Sequence, residues 1–458
     1  MVFSTMTFLT MALPLVLGLY YLLPRRLRNG WLLIFSLAFY GWGGPAYLAL
    51  MLVSITCNYL CGLGLGRAEK PGARRGLLIL ALAVNLGALF VFKYLGFCAD
   101  TANRLFGVHW AAPNLALPIG ISFYTFQALS YVIDVYRGDV PVQRSWARLA
   151  LYIAFFPQLI AGPILRYDAV EPQIADRRET LEGFWYGLKR FATGLGKKVL
   201  IANTVAVVAD EAFATAALTA AGAWIGAIAY ALQILFDFSG YSDMAIGLGA
   251  MFGFTYPENF NAPYTAVTVQ DFWRRWHISL STWFRDYLYI PLGGSRAGRG
   301  RHVLNLLIVF FVTGIWHGAG FTYLVWGLYY GVLSALGVLM GYRRSQSAPV
   351  RACQRALTLL LVLVGWVVFR AQDMTAALSY LRGMVAGGSR GLYTLTPRAI
   401  GALALGCLLA SSLPRRALDA MKPQWRERLS LIAVPALLVL CMLSLASGAY
   451  NPFIYFQF

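Results

Sequence analysis

The chain has 458 residues, 59% of them apolar and only 12% charged, too little polar surface for the three or so soluble domains that this length would otherwise suggest. Its 38 Lys and Arg against 19 Asp and Glu give +19. These cations lie between apolar runs rather than in one tract, which argues for membrane topology and for no nucleic-acid partner. Disordered, secreted disulfide-stapled and outer-membrane barrel classes are excluded by the same composition, leaving an all-α polytopic membrane protein.

In chain order, Thr5 to Leu23 reads as a retained first span, because no basic segment or small-residue cleavage site precedes Pro24. Arg25, Arg26 and Arg28 follow it, which places the N-terminus outside. Trp31 to Trp42 and Pro45 to Leu65 go out and back to Arg67, Lys70, Arg74 and Arg75. Leu77 to Leu95 leads to an outer loop with His109, and Leu117 to Tyr136 returns to Arg137, Arg144 and Arg148. Leu149 to Ile164 contains Pro157, Gly162 and Pro163 and is expected to enter without crossing. Phe184 to Lys198 mixes aromatics with four cations and is expected to lie at the interface. Ala221 to Phe236 and Tyr241 to Phe254 read as two segments interrupted at Asp237, Ser239 and Gly240.

Later spans are cleaner: Val303 to Trp316, Phe321 to Gly341, Leu357 to Phe369, Ala399 to Leu413, and Leu429 to Ala449, with the tail NPFIYFQF outside. The expectation is about 11 to 13 membrane-crossing helices, plus re-entrant and interfacial ones, in a single membrane domain over residues 1–458. No loop is long enough for a folded outer domain. The six cysteines form no CxxC pair and read as packing residues, with no metal site expected. GLGLG at Gly62 to Gly66 lacks a preceding strand and is not read as a phosphate loop. Gly249 and Gly253 have a spacing suited to helix packing.

Four histidines occur. His109 and His302 fall in a loop and a basic run and read as solvated. His317 ends an apolar run and precedes Gly318, Ala319 and Gly320, so a helix is expected to break there with an imidazole at membrane depth, where ionisable groups face cavities; a structural histidine bonded to a neighbouring helix backbone is the alternative. Imidazole also suits proton transfer near neutral pH. His277 sits in DFWRRWHISLSTWFRDYLYIPLGG, which reads as one amphipathic helix with Trp273, Trp276, His277, Leu280, Phe284 and Tyr287 on one face; a core role and a functional role are equally open. Arg274 and Arg275 can meet a cofactor's phosphates or anionic lipid. Asp134 and Asp237 are expected in buried ion pairs with arginines. Asn305 can orient a substrate or satisfy backbone. Tyr455 reads first as part of an aromatic interfacial anchor, with a reactive phenol as the alternative.

Longer blocks extend these signals: LPIGISFYTFQALSYVIDVYRG, FPQLIAGPILRY, FDFSGYSDMAIGLGAMFGF, PENFNAPY, DFWRRWHISLSTWFRDYLYIPLGG, TGIWHGAG and NPFIYFQF. Through them the chain resembles the membrane-bound O-acyltransferase (MBOAT) superfamily, in the branch of the membrane subunit of bacterial alginate O-acetylation. The resemblance implies a ring of helices around a thinned central funnel in a bacterial inner membrane. It implies catalysis by His317 of the WHG block, with His277 at the second functional position. Trp316, Asn305, Arg274, Arg275 and Tyr455 are the candidate substrate contacts. No permanently bound cofactor is expected; acetyl-CoA is the implied cytosolic donor. An extracytoplasmic SGNH-type transferase or a polysaccharide-synthesis complex is the implied partner. The alternatives are transfer of D-alanyl or another acyl group to a cell-wall polymer, and a non-enzymatic acyl or sugar transporter.

Overall fold

The structure, a computed structural model, describes residues 2–454 apart from Ala112, Asn114, Ala297 and Ala449; Tyr455 therefore lies outside the described residues. Those residues form helices, turns and one isolated bridge between Leu218 and Arg390, with no β-strand among them. Among the described residues, eight helices are long and apolar enough to cross a membrane. There are nine if the pair Pro397–Ala410 and Leu413–Ala420, bent by 64°, forms one span. The larger expected number counts shorter segments such as Arg25–Gly41 and Ile121–Arg137, of 17 residues each. At ~1.5 Å per residue these reach about 26 Å, short of the ~30 Å hydrocarbon core.

The chain divides into two compact units, Met1–Phe191 with Met244–Tyr256, and Ala192–Asp243 with Pro257–Phe458. In the first, Pro45–Arg67 and Pro71–Lys93 each start on a proline, where the missing N–H costs nothing. Between them Asn58 and Asn85 exchange amide hydrogen bonds of 3.1 and 2.9 Å, and Ser54 donates to Asn85 at 3.1 Å. Buried amides in an apolar surrounding find each other in this way. The GLGLG stretch is inside Pro45–Arg67; a Cβ on Gly62 would stand 2.5 Å from the Tyr131 hydroxyl, so this glycine admits a neighbouring ring. Gly187 and Gly247 are as close, where a Cβ on either would stand 2.5 Å from the other's carbonyl oxygen. Gly249 and Gly253 do not mark such a contact: Gly249 faces the Tyr256 ring and Gly253, at φ +82°, lies in the turn after the helix.

Two expectations for the middle of the chain are corrected. Ala220–Met251 is one 32-residue helix rather than two segments. Phe184 to Lys198 belongs to a 34-residue helical run, Leu181–Ala214, that is long and apolar enough to cross a membrane. The cause is charge neutralisation inside the protein. Lys198 and Asp237 are both 2% exposed and meet at 2.7 Å, and Lys197 meets Asp243 at 2.6 Å. The polar residues that look like an interruption and an interfacial face are instead partners. Asp237 thus pairs with a lysine; Asp134, fully buried, has Arg166 at 3.9 Å.

In the second unit, Arg299–His317 and Phe321–Leu339 form a tight hairpin. Gly314 and Gly327 face each other across it, each leaving no room for a Cβ against the opposite backbone. Ala348–Arg370, Met374–Ala386, Pro397–Ala410 and Pro423–Ala446 complete the helical set. Leu32 and Leu33 in the first unit, and Trp326, Tyr330 and Trp366 in the second, are among the buried side chains, whereas Ile432, Leu431 and Val439 are exposed, as expected for lipid-facing positions.

Candidate active site

The helix Arg299–His317 ends where the sequence places the break, and Gly318 and Gly320 continue in extended conformation. A side chain at Gly318 would collide with the Tyr323 ring, so the residue after the histidine is held small by packing. His317 is 6% exposed. Its ring is met edge-on by Trp326 at 5.0 Å and Phe369 at 5.2 Å, with Trp316 at 5.0 Å. Aromatic walls of this kind fix ring orientation and exclude water.

The segment around His277 is not one helix. Val269–Trp273 is followed by a turn, and Ile278–Phe284 starts after His277, which adopts the left-handed conformation at φ +44°, ψ +55°. That conformation costs about 1–3 kcal/mol for a side chain with a Cβ and persists only where the surroundings impose it. Here Asn259 imposes it. Its carbonyl accepts from Ile278 N at 2.9 Å, and its side-chain Oδ1 accepts from Ser279 N at 3.2 Å and Ser279 Oγ at 2.9 Å. Its Nδ2 donates to Ser242 Oγ at 3.0 Å. Despite the break, Trp273, Trp276, His277, Leu280 and Phe284 still face one cavity, as their spacing suggests; Tyr287 does not join them, and Ser281 and Arg285 do.

Asn259 also settles the protonation of His277. A backbone N–H can only donate, so the atom facing Ser279 N is the amide oxygen. That oxygen lies 3.2 Å from His277 Nδ1. Nδ1 therefore carries the proton and donates it, and Nε2 holds the lone pair. Burial, at 1% exposure, pushes the imidazole pKa down to about 3 because the charged form loses its hydration. Phe238 packs edge-on at 4.6 Å.

His277 and His317 line the same cavity, of about 200 Å³, together with Trp273, Thr313 and Phe310. Trp316 is the shared neighbour, with ring centroids 6.2 Å from His277 and 5.0 Å from His317. The Trp273 indole N–H is buried in this wall and has no hydrogen-bond acceptor among the described residues.

The other sequence candidates are placed elsewhere. Asn305 donates to the carbonyls of Leu292 at 3.2 Å and Gly294 at 2.9 Å, which satisfies backbone rather than meeting the cavity. Arg275 pairs with Asp271 at 2.8 Å. Arg274 lines a separate cavity of about 460 Å³ with Arg343 and Arg344; none of these three side chains has an ion pair or hydrogen bond among the described residues. Tyr455 lies outside the described residues, but the stretch before it does not. Ile454 N donates to Asp237 Oδ2 at 2.8 Å, Lys198 Nζ donates to the Pro452 carbonyl, and Phe453 packs against Tyr241 at 5.1 Å. The Lys198–Asp237 pair thus seats residues 451–454 inside the protein.

The model of the MBOAT, membrane-bound O-acyltransferase family matches residues 142–372, half of the chain, and that stretch holds both histidines, Asn259 and the three arginines. A probable alginate O-acetylase AlgI of Pseudomonas putida is 42% identical over 490 aligned residues, covering 100% of both chains. The chain belongs to the MBOAT family. It is a multi-pass membrane O-acyltransferase. This acyltransferase is also 36% identical to a peptidoglycan O-acetyltransferase of Helicobacter pylori, over 84% of this chain and 80% of the other. Likeness to a teichoic acid D-alanyltransferase of Bacillus subtilis is narrower, 30% over 49% of this chain and 60% of the other.

Proposed function

We propose that this acyltransferase takes acetyl from cytosolic acetyl-CoA and passes it across a bacterial inner membrane for O-acetylation of an alginate-like exopolysaccharide. An extracytoplasmic SGNH-type transferase, or a polysaccharide-synthesis complex, is the proposed partner. The observation that carries the reading is the pair of buried histidines on one small aromatic cavity at a helix break. The full-length likeness to a probable alginate O-acetylase supports acetyl over D-alanyl, for which the related stretch is half the chain.

In the proposed step His317 removes the proton of an acceptor hydroxyl as its oxygen attacks the thioester carbonyl carbon. The C–O bond forms, the C–S bond breaks, and the His317 imidazolium returns the proton to the departing thiolate. His277, neutral and with its one proton committed to Asn259, has none to give the thiol. It is assigned as a positioning residue whose Nε2 accepts a hydrogen bond. The Trp273 N–H is the candidate donor to the thioester oxygen. The cationic cavity at Arg274, Arg343 and Arg344, one residue along the chain from Trp273, suits the phosphates of the donor.

The test is CoA release from radiolabelled acetyl-CoA by the full chain in detergent, with the SGNH-type partner added, for wild type and His317→Ala. Loss of about 10²–10⁴-fold in the variant is expected for a general base. Equal rates would remove His317 from the chemistry. Turnover with a D-alanyl-charged carrier protein but not with acetyl-CoA would replace the donor. Cargo movement that survives His317→Ala without CoA release would favour a transporter.

A further inference from the structure

A second cavity, of about 580 Å³, shares no lining residue with the one that holds the histidines. Three helices supply much of its wall. Ala220–Met251 contributes Ile228, Ala231 and Leu232, and Ala348–Arg370 contributes Leu359, Val362 and Leu363, both at i, i+3, i+4 spacing. Cys407 and Ala410 come from the last turn of Pro397–Ala410. Tyr264, Thr265, Ser411 and Ser412 also line the cavity, but the stretch walled by these helices is apolar and a poor place for water.

Two charged residues also line the cavity. Arg355 stands one turn before Leu359, and Arg416 lies in Leu413–Ala420, beyond the 64° bend. Neither guanidinium is in an ion pair or hydrogen bond among the described residues. Their neighbour Arg415, which does not line the cavity, meets Asp419 at 3.9 Å and Asn261 Oδ1 at 3.3 Å. Of these three arginines, the two with no ion pair or hydrogen bond among the described residues are those that line the cavity. Both are exposed and stand at the ends of apolar helices, where headgroups lie.

We propose that this groove is a binding site for an anionic glycerophospholipid. An acyl chain lies along Leu359, Leu363, Leu232 and Cys407, and the phosphodiester sits between Arg355 and Arg416. A zwitterionic lipid would bring its ammonium into the same cationic mouth, and a free phosphate would leave the apolar wall uncovered, so charge and shape together select an anionic lipid.

The test uses the full chain in detergent and a phosphatidylglycerol carrying a photoactivatable diazirine in its acyl chain, with crosslinked peptides mapped by mass spectrometry. Labels are expected within 348–370 and 397–413, displaced by unlabelled phosphatidylglycerol but not by phosphatidylethanolamine or glycerol phosphate. Arg355→Gln with Arg416→Gln should weaken retention about thirtyfold, as two surface cations contribute in such sites, and the corresponding Lys pair should restore most of it. Should the Gln pair fail to fold, Cys407→Trp, which fills the apolar wall and keeps both cations, decides the matter by losing the label. Unchanged labelling in the folded Gln pair or in Cys407→Trp, or equal displacement by phosphatidylethanolamine or glycerol phosphate, overturns the proposal.

Discussion

Asn259→Ala is the substitution that best tests how the site is held together. The wild-type amide is fully buried and serves four groups: Ser279 N, Ser279 Oγ and His277 Nδ1 on its oxygen, and Ser242 Oγ on its nitrogen. Each buried group that loses a partner costs about 1–3 kcal/mol. The four share one amide and relax together, so the sum is not additive, and about 3–4 kcal/mol is expected in total. The backbone bond from Ile278 N to the Asn259 carbonyl survives the change, so the chain should still fold. Two readouts separate structure from chemistry. The thermal midpoint should drop, and kcat for CoA release should fall about 10²-fold, the loss that goes with a positioning group displaced by about 1 Å. Asn259→Asp keeps an acceptor for His277 Nδ1 and should recover part of kcat although it buries a charge. An Asn259→Ala protein with kcat within twofold of wild type would refute the argument that Asn259 sets the His277 tautomer.

Four further outcomes follow from the geometry. Between about pH 3 and the ordinary 6.5, the unfolded chain binds a proton at His277 that the folded chain does not. Stability should therefore fall with pH through that window, by about 2 kcal/mol at pH 5 at about 1.4 kcal/mol per unit, and be unaffected by His277 above it; thermal midpoints of wild type and His277→Gln at pH 5 and 8 check this. Arg274→Gln with Arg343→Gln should raise KM for acetyl-CoA about tenfold or more and leave kcat unchanged, since ground state and transition state lose the same contact; steady-state kinetics read the split. Lys198→Met strands Asp237 and should cost about 3–5 kcal/mol, and adding Asp237→Asn should recover much of it, read as thermal midpoints. Gly247→Ala forces a methyl to 2.5 Å from the Gly187 carbonyl and should cost about 1–3 kcal/mol, whereas Gly383→Ala, with nothing within 4 Å, should gain about 0.5–1 kcal/mol in the same melts.

The histidines were legible because a membrane segment tolerates few ionisable groups, so His317 before three small residues stands out by residue type alone. The apolar runs gave most helices for the same reason: length and hydropathy are local quantities. What could not be read were partners distant in the chain. Asn259 lies 18 residues before His277 in the block PENFNAPY, and nothing in its spacing marks it as the partner of a histidine. The break at His277 was hidden because the turn keeps Trp273, Trp276, Leu280 and Phe284 on the cavity side, so the helical pattern outlasts the helix. Arg274 and Arg275, adjacent in sequence, part company only when Asp271 takes one of them.

The same dependence on distant partners governs Lys198 and Asp237, and it bears on function. Read alone, Lys198 asks for a headgroup and Asp237 asks for a helix end; each request is right for an isolated segment in lipid. Paired at 2.7 Å they cancel, and both helices can run through. A pair formed only to allow this would need no further contacts. This one also accepts Ile454 N and donates to the Pro452 carbonyl, so the charge that keeps the long helix continuous also fixes the end of the chain. Lys198→Met should for that reason loosen residues 451–454 together with the helix pair, and faster hydrogen exchange at Ile454 N would report it. If exchange there stays at the wild-type rate while stability falls, the pair supports the helices alone and the tail is held by Phe453 against Tyr241.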